Sequence, residues 1–191
     1  HSLEGFLLSE LDIGDTIEKQ MKAREVYQKA ITINIKERPI EVQVNVPKVY
    51  PPAEGAHTRL HVQEFVDFGE KFSELKNAKG QKAVSRAMVR MWFEEALLES
   101  GHIHADLHQG NFTVLMTEGK DKYQVTLFDF GMSETLSEQS RKAFIFIGGG
   151  AYYEDPKLMA KGLQLMNQSE GKSYQELLSI IRSEMKKTKK S

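Results

Sequence analysis

The sequence predicts an α+β fold in which a helix and strands open the chain and a mainly helical C-terminal part surrounds short β-hairpins. Three observations carry this. Runs of strand-like character occur at 40–46, 58–66, 112–116 and 123–128; a stripe of apolar residues at three-to-four spacing runs from Gln81 to Ser100; beyond Ser137 only helical patterns remain.

In chain order, residues 6–33 read as one long helix, with Leu7, Leu8, Leu11, Ile17, Met21, Val26 and Ile31 as an apolar stripe among charges. Pro39 closes that region, and Ile40 to Val46 has the period of a half-buried strand. Pro47, Pro51 and Pro52 bracket an extended connector, after which Thr58 to Val66 forms a second strand closed by the turn Asp67-Phe68-Gly69. From Gln81 to Ser100, Val84, Met88, Met91, Trp92 and Leu98 recur on one helical face with Ala87 and Ala96 between them, and Gly101 is the stop. Phe112–Met116 and Tyr123–Phe128 form a hairpin about Glu118 to Asp121. Helices follow at 138–152, 156–167 and 173–187, with Ser137, Asp155 and Ser173 as N-caps. Gly148-Gly149-Gly150 lies inside the first of these, fits no phosphate-loop pattern, and reads as a kink or a close helix contact.

Composition narrows the function classes. The 191 residues are 40% hydrophobic, with ten Phe and six Tyr, enough for a substantial core. Lys and Arg number 26 against 27 Asp and Glu, so there is no basic field of the kind that neutralises a nucleic-acid backbone, and no nucleic-acid partner is expected. The basic run 185–190 reads as a solvated helix end. With no cysteine there is neither a disulfide framework nor a thiolate zinc site, and His102, His104 and His108 lack the helical spacing of a histidine zinc site. The longest apolar run, Ala143 to Tyr153, is too short to span a bilayer. The start His1-Ser2-Leu3, without Met or a signal pattern, reads as a cloning remnant or a processed or truncated product that begins inside a domain.

The chemistry concentrates in His102-Ile103-His104-Ala105-Asp106-Leu107-His108-Gln109-Gly110-Asn111 and, one hairpin later, Leu127-Phe128-Asp129-Phe130-Gly131. Phosphoryl transfer needs a carboxylate to receive a proton and hard oxygen donors for a divalent cation. Asp106 suits the first task, Asn111 and Asp129 the second. His104 is placed to brace the loop, and His108, two residues past the base, to approach a transferred phosphate. Base, metal amide and metal carboxylate stand in the order in which kinase-like folds present them.

The segments HADLHQGNFTVL (104–115) and VTLFDFGMSETLSEQSRKAF (125–144) resemble the motifs of the UbiB family of atypical kinases, also called the ADCK family, over about residues 9–170. That resemblance implies a protein-kinase-like fold with a mainly helical C-lobe, short β-hairpins and a truncated N-lobe: 1–66 as the N-lobe remnant up to the hinge, 67–191 as the C-lobe. QEFVDFGEKF (63–72) is similar to a kinase hinge, which implies adenine contacts from the backbones of Glu64 and Val66, Gln63 as gatekeeper and Glu70 at the ribose. The family resemblance further implies ATP and Mg²⁺, a link to quinone and isoprenoid-lipid metabolism, an isoprenoid lipid or membrane surface as partner, and an intracellular place peripheral to a membrane, mitochondrial in a eukaryote.

Departures from the pattern are specific. No Gly- or Ala-rich nucleotide loop, strand lysine or K-x-G-Q segment stands upstream of residue 10. Residues 10–18 resemble the family helix motif E-x-D-x-x-x-E with Thr16 where the lysine-pairing Glu is expected, and Asp15 or Glu18 as stand-ins; Leu107 and Gln109 replace prolines. Two other readings share the motifs: a small-molecule phosphotransferase of the aminoglycoside or choline type, and a nucleotide-binding pseudokinase module. Direct passage from Gly131-Met132 into a helix at 138 favours the UbiB-like reading, and a conventional Ser/Thr protein kinase would carry A-P-E and a Lys two residues past Asp106.

Overall fold

A computed structural model describes residues 13–51, 60–67, 69–117, 121–166 and 171–188. The chain divides into two units, His1–Thr135 and Leu136–Ser191.

The first unit begins with helix α1, Ile13–Tyr27, then strands β1, Ala30–Ile35, and β2, Arg38–Asn45. The long helix expected over 6–33 therefore stops at Tyr27; residues 6–12 lie outside the described residues. The reason is the period of Ala30-Ile31-Thr32-Ile33-Asn34-Ile35, which buries Ile31, Ile33 and Ile35 and exposes the residues between them, a pattern that suits a pleated strand and spoils a helical stripe. Lys36 and Glu37 join β1 to β2 with φ of 48° and 64°, the doubly positive turn that matches strand twist. β2 then runs parallel to β6, Lys122–Leu127, which pairs antiparallel with β5, Phe112–Met116, and β5 with the short β3, Glu70–Lys71. The sheet order is β1-β2-β6-β5-β3. Val42, Val44, Val125 and Leu127 are fully buried in it.

The strand expected over 58–66 is not formed in its described part, 60–66. That segment makes a single antiparallel bridge, Gln63 opposite Val49, with Tyr50 N–H donating to Val62 O at 2.9 Å and Glu64 N–H to Lys48 O at 2.7 Å. Pro47 and Pro51 flank the partner segment and have no N–H to extend the ladder. Residues 58 and 59 lie outside the described residues.

Helix α2, Ala78–Arg90, is capped by Asn77, whose Oδ1 accepts from Lys79 N–H at 3.1 Å and Gly80 N–H at 3.3 Å. From Met91 to Ser100 the helix widens to i→i+5 winding and ends at Gly101, which has φ 78° and donates to Ala96 O at 2.7 Å. The wider turn moves the buried face by one residue. Leu97 is 2% exposed whereas Leu98, the residue expected on the stripe, is 38% exposed. Strands β4, His102–His104, and β7, Ser133–Thr135, form a separate antiparallel pair.

The second unit holds α3, Glu138–Tyr152, α4, Pro156–Leu165, and α5, Tyr174–Thr188. Ser137 and Asp155 cap the first two as expected, and Ser173 with Glu176 forms a reciprocal box: Glu176 N–H to Ser173 Oγ at 3.3 Å, Ser173 N–H to Glu176 Oε2 at 2.7 Å. The expected end of the middle helix at residue 167 lies outside the described residues. Ala160, Leu177, Leu178 and Ile181 form the core between α4 and α5. Among the described residues no helix is long and apolar enough to cross a membrane.

Candidate active site

The loop between β4 and β5 is built from its own backbone outward. After His104 the chain turns at Ala105-Asp106, with Ala105 N–H donating to Met132 O at 3.3 Å, and a 3₁₀ turn, Gln109–Asn111, returns it to β5. His108 caps that turn: its Nδ1 accepts from Gly110 N–H at 2.9 Å. An accepting Nδ1 puts the ring proton of neutral His108 on Nε2, which lies 3.5 Å from Asp106 Oδ2. A Cβ at Gly110 would sit 2.7 Å from the His108 ring, so the ring could cap the turn in this position only beside glycine.

Asn111, 5% exposed, ties the loop from inside. Its side-chain Nδ2 donates to Asp106 O at 3.0 Å, and its backbone carbonyl accepts from Phe128 N–H at 3.0 Å. Because β5 and β6 pair Phe112 with Leu127, the residue before β5 and the D-F-G turn after β6 emerge side by side. Asp106, His108, Asn111 and Asp129 are thus gathered around one loop. Asp129 itself has φ 63°, a left-handed conformation that a residue with a side chain holds only when its surroundings over-determine it. Those surroundings include Phe130, 1% exposed with its ring 5.5 Å from that of His104, and Ser133 N–H donating to Phe130 O at 2.9 Å.

His104 is held by four groups. Tyr27 Oη accepts from its N–H at 3.0 Å, Trp92 Nε1 donates to its carbonyl at 3.1 Å, Phe130 lies against the ring, and ring Nε2 faces Phe128 O at 3.4 Å and so carries the proton. Burial pushes its pKa down, against the raising influence of the Phe128 carbonyl and the charges of Asp129 and Asp106, so the ring is neutral. Of the two ring nitrogens expected to brace the loop, Nε2 faces the Phe128 carbonyl, whereas Nδ1 is buried without a hydrogen-bond partner. His102, whose Nδ1 lies 2.9 Å from Thr135 Oγ1, is likewise lowered, first by burial and then by Lys22. Burial pushes the Tyr27 phenol up to about 12.

Two buried neutral histidines make stability depend on pH. Their unfolded values stand near the ordinary 6.5 and their folded values below it, so the unfolded chain binds more protons under acid conditions. The melting temperature is expected to be flat above about pH 7 and to fall from about pH 6.5 downward until the folded values are passed. Replacing both, His102→Gln with His104→Gln, should flatten that limb of a melting-temperature profile relative to the parent chain; an unchanged slope would contradict the assignment.

The hinge-like residues stand in a different part of the same unit. Gln63 Oε1 accepts from Gln20 Nε2 on α1 at 2.8 Å, and Glu64 Oε2 accepts from Lys48 N–H at 3.1 Å. Val66 is half-buried in the extended segment that follows. Glu70 lies opposite Val114 in β3, one strand from the Asn111 end of β5. A cavity of about 680 Å³ opens beside the loop between β4 and β5, walled by Met88, Trp92, Phe93, Leu107, His108 and Phe112. Neither this cavity nor the grip of Tyr27 and Trp92 on His104 was visible in the sequence.

A carboxylate loop, a buried amide and a D-F-G turn, presented in that order by a helix, a hairpin and a short strand pair, define a protein-kinase-like domain of the α+β class. Within that class, residues 7–163 match the model of the ABC1 atypical kinase-like domain, and the chain belongs to this family.

Proposed function

We propose that the chain carries out ATP-dependent phosphoryl transfer or ATP hydrolysis as a UbiB/ADCK-like member of its family. The observation that carries this reading is the convergence of Asp106, His108, Asn111 and the D-F-G turn on one loop, through Asn111 Nδ2 to Asp106 O and Phe128 N–H to Asn111 O at 3.0 Å each. In it, the Asp106 carboxylate orients the attacking hydroxyl or water and takes its proton, and the Nε2–H of His108 steadies that carboxylate. Neutral His104 takes no part in proton transfer and holds the turn.

The donor set fits Mg²⁺. Asn111 offers an amide oxygen, its nitrogen being committed to Asp106 O, and Asp129 a carboxylate; both are hard oxygen donors. Among the described residues no group of three or more His, Asp and Glu gathers as a metal cage, and Mg²⁺ at phosphate sites needs only one or two protein ligands. When bound it neutralises phosphate charge. At the hinge, Glu64 N–H is already donated to Lys48 O, so Glu64 would meet adenine through its carbonyl and Val66 through its N–H, with Gln63 as gatekeeper and Glu70 at the ribose. The lobes in this reading divide after residue 66.

The apolar walls of the cavity beside Asp106 support an acceptor with an apolar body, and with the family resemblance an isoprenoid lipid of quinone metabolism met at an intracellular membrane surface. A second reading, a nucleotide-binding module without transfer, is favoured by Asp15: one stand-in for the missing helix Glu, it is ion-paired at 2.8 Å with Lys19 on its own helix. Calorimetry with Mg-ATP and Mg-ADP, run beside a turnover assay with and without chelator, separates the two. Binding with chelator-sensitive turnover is expected; binding of both nucleotides without turnover would establish the module, and no binding would overturn both.

A further inference from the structure

One face of α1 is fastened at three points to the strands around the D-F-G turn. Tyr27 Oη accepts from His104 N–H at 3.0 Å, Lys22 Nζ donates to Thr135 Oγ1 at 2.9 Å, and Lys19 Nζ donates to Gly131 O at 3.0 Å. Residues 19 and 22 share that face by i, i+3 spacing, Tyr27 closes the helix, and α1 packs on both β4 and β7. The Lys19 contact is the one that reaches the turn itself. Its side chain is 18% exposed and is aimed by Asp15 Oδ2, one helical turn earlier and 2.8 Å away.

The carbonyl that Lys19 holds lies two residues past the left-handed Asp129. The neighbouring restraints, Ser133 N–H on Phe130 O and Ala105 N–H on Met132 O, are neutral backbone bonds made from the β4 and β7 strands and the loop beside them. Lys19 adds a charged donor from a different element, and hydrogen bonds from charged donors are the stronger kind. Losing it would leave Gly131 O without that donor and let the turn sample other conformations, in which the Asp129 carboxylate points elsewhere.

We propose that Lys19 is a positioning residue for Asp129: by holding Gly131 O, its ammonium keeps the D-F-G turn in the conformation that presents Asp129 to a divalent cation. This rests on the reading of Asp129 as a metal carboxylate. Apparent cation affinity falls in proportion to the fraction of chains with the turn in place, and a charged hydrogen bond is strong enough to change that fraction roughly tenfold.

The test is Mn²⁺ binding by electron paramagnetic resonance to the whole chain with ADP, together with amide hydrogen exchange of residues 128–133 without metal or nucleotide. Lys19→Met should weaken Mn²⁺ binding roughly tenfold and speed exchange in the turn, and Lys19→Arg should restore most of both. Lys22→Met, which loosens α1 while leaving Gly131 O held, should bind Mn²⁺ as the parent does. Should Lys19→Met fail to fold, Lys19→Gln carries the same comparison. Parent-like Mn²⁺ binding by the Lys19 variants, with binding lost in Asp129→Asn, overturns the role of Lys19 and spares the metal reading. Undiminished Mn²⁺ binding by Asp129→Asn, or none by the parent chain, overturns both.

Discussion

Asp129→Asn is expected to lower Mg²⁺-dependent ATP turnover by at least about 10³-fold, the several kcal/mol that a correctly held cation supplies to a phosphoryl transition state. The substitution is close to isosteric, and Asn tolerates the left-handed φ of 63° better than most residues, so the fold should survive it. Phe130 stays buried and the bonds at Phe128, Phe130 and Gly131 are made by backbone atoms that the change does not touch. What goes is the charge. Asp106→Asn should cost about 10²- to 10⁴-fold, the range of a general base, while leaving the Mg²⁺ dependence of nucleotide binding in place. Steady-state turnover measured across a Mg²⁺ titration separates the two: a raised Mg²⁺ requirement for Asp129→Asn and an unchanged one for Asp106→Asn. Undiminished turnover in Asp129→Asn would sink the kinase reading of this site.

The candidate site was legible in the sequence because its residues lie close together in the chain. Asp106, His108 and Asn111 lie within six positions, and the one long-range link, to Asp129, runs through a hairpin whose strands announce themselves. The β1–β2 hairpin was hidden for a physical reason: its turn is Lys36-Glu37, two residues with side chains at positive φ, where a Gly or Asn would have been the signal. Without that signal Ile31 looked like the end of a helical stripe. The widened helix over Met91–Ser100 escaped in the same way, since a change from 3.6 residues per turn exchanges Leu98 for Leu97 without any marker residue.

The attachment of α1 to the D-F-G turn lies beyond any local pattern. Lys19 and Gly131 are 112 positions apart, Lys22 and Thr135 are 113 apart, and in sequence both lysines belong to an ordinary charged helix face. Their partners, a backbone carbonyl and a threonine hydroxyl, carry no complementary charge that could have been matched by inspection. In sequence Thr16 points to the acidic residues of that helix, whereas in the fold Lys19, one turn further on, reaches the D-F-G turn.

The triple glycine shows how a compositional feature divides once neighbours are known. Gly150→Ala is expected to destabilise the second unit by about 1–3 kcal/mol, the cost of overpacking, whereas Gly148→Ala and Gly149→Ala should each stabilise it by up to about 1 kcal/mol through helix propensity. A Cβ on Gly150 would lie 2.6 Å from Met159 Cγ, 2.7 Å from Met159 N and 2.9 Å from Asp155 O. The side-chain atom can swing away; the two backbone atoms belong to the capped first turn of α4 and cannot. Asp155 N–H also donates to Gly150 O at 2.7 Å, so the approach is built into the corner between α3 and α4. Gly162 makes the reciprocal contact, where a Cβ would meet Ile147 Cγ1 at 2.5 Å and Ala143 O at 2.8 Å. Gly148 and Gly149 face open space, with nothing within 4 Å of an added Cβ. Urea denaturation of the three single variants should therefore rank Gly150→Ala below the parent and the other two above it; a Gly150→Ala midpoint at or above the parent would mean that the two helices do not meet at this residue.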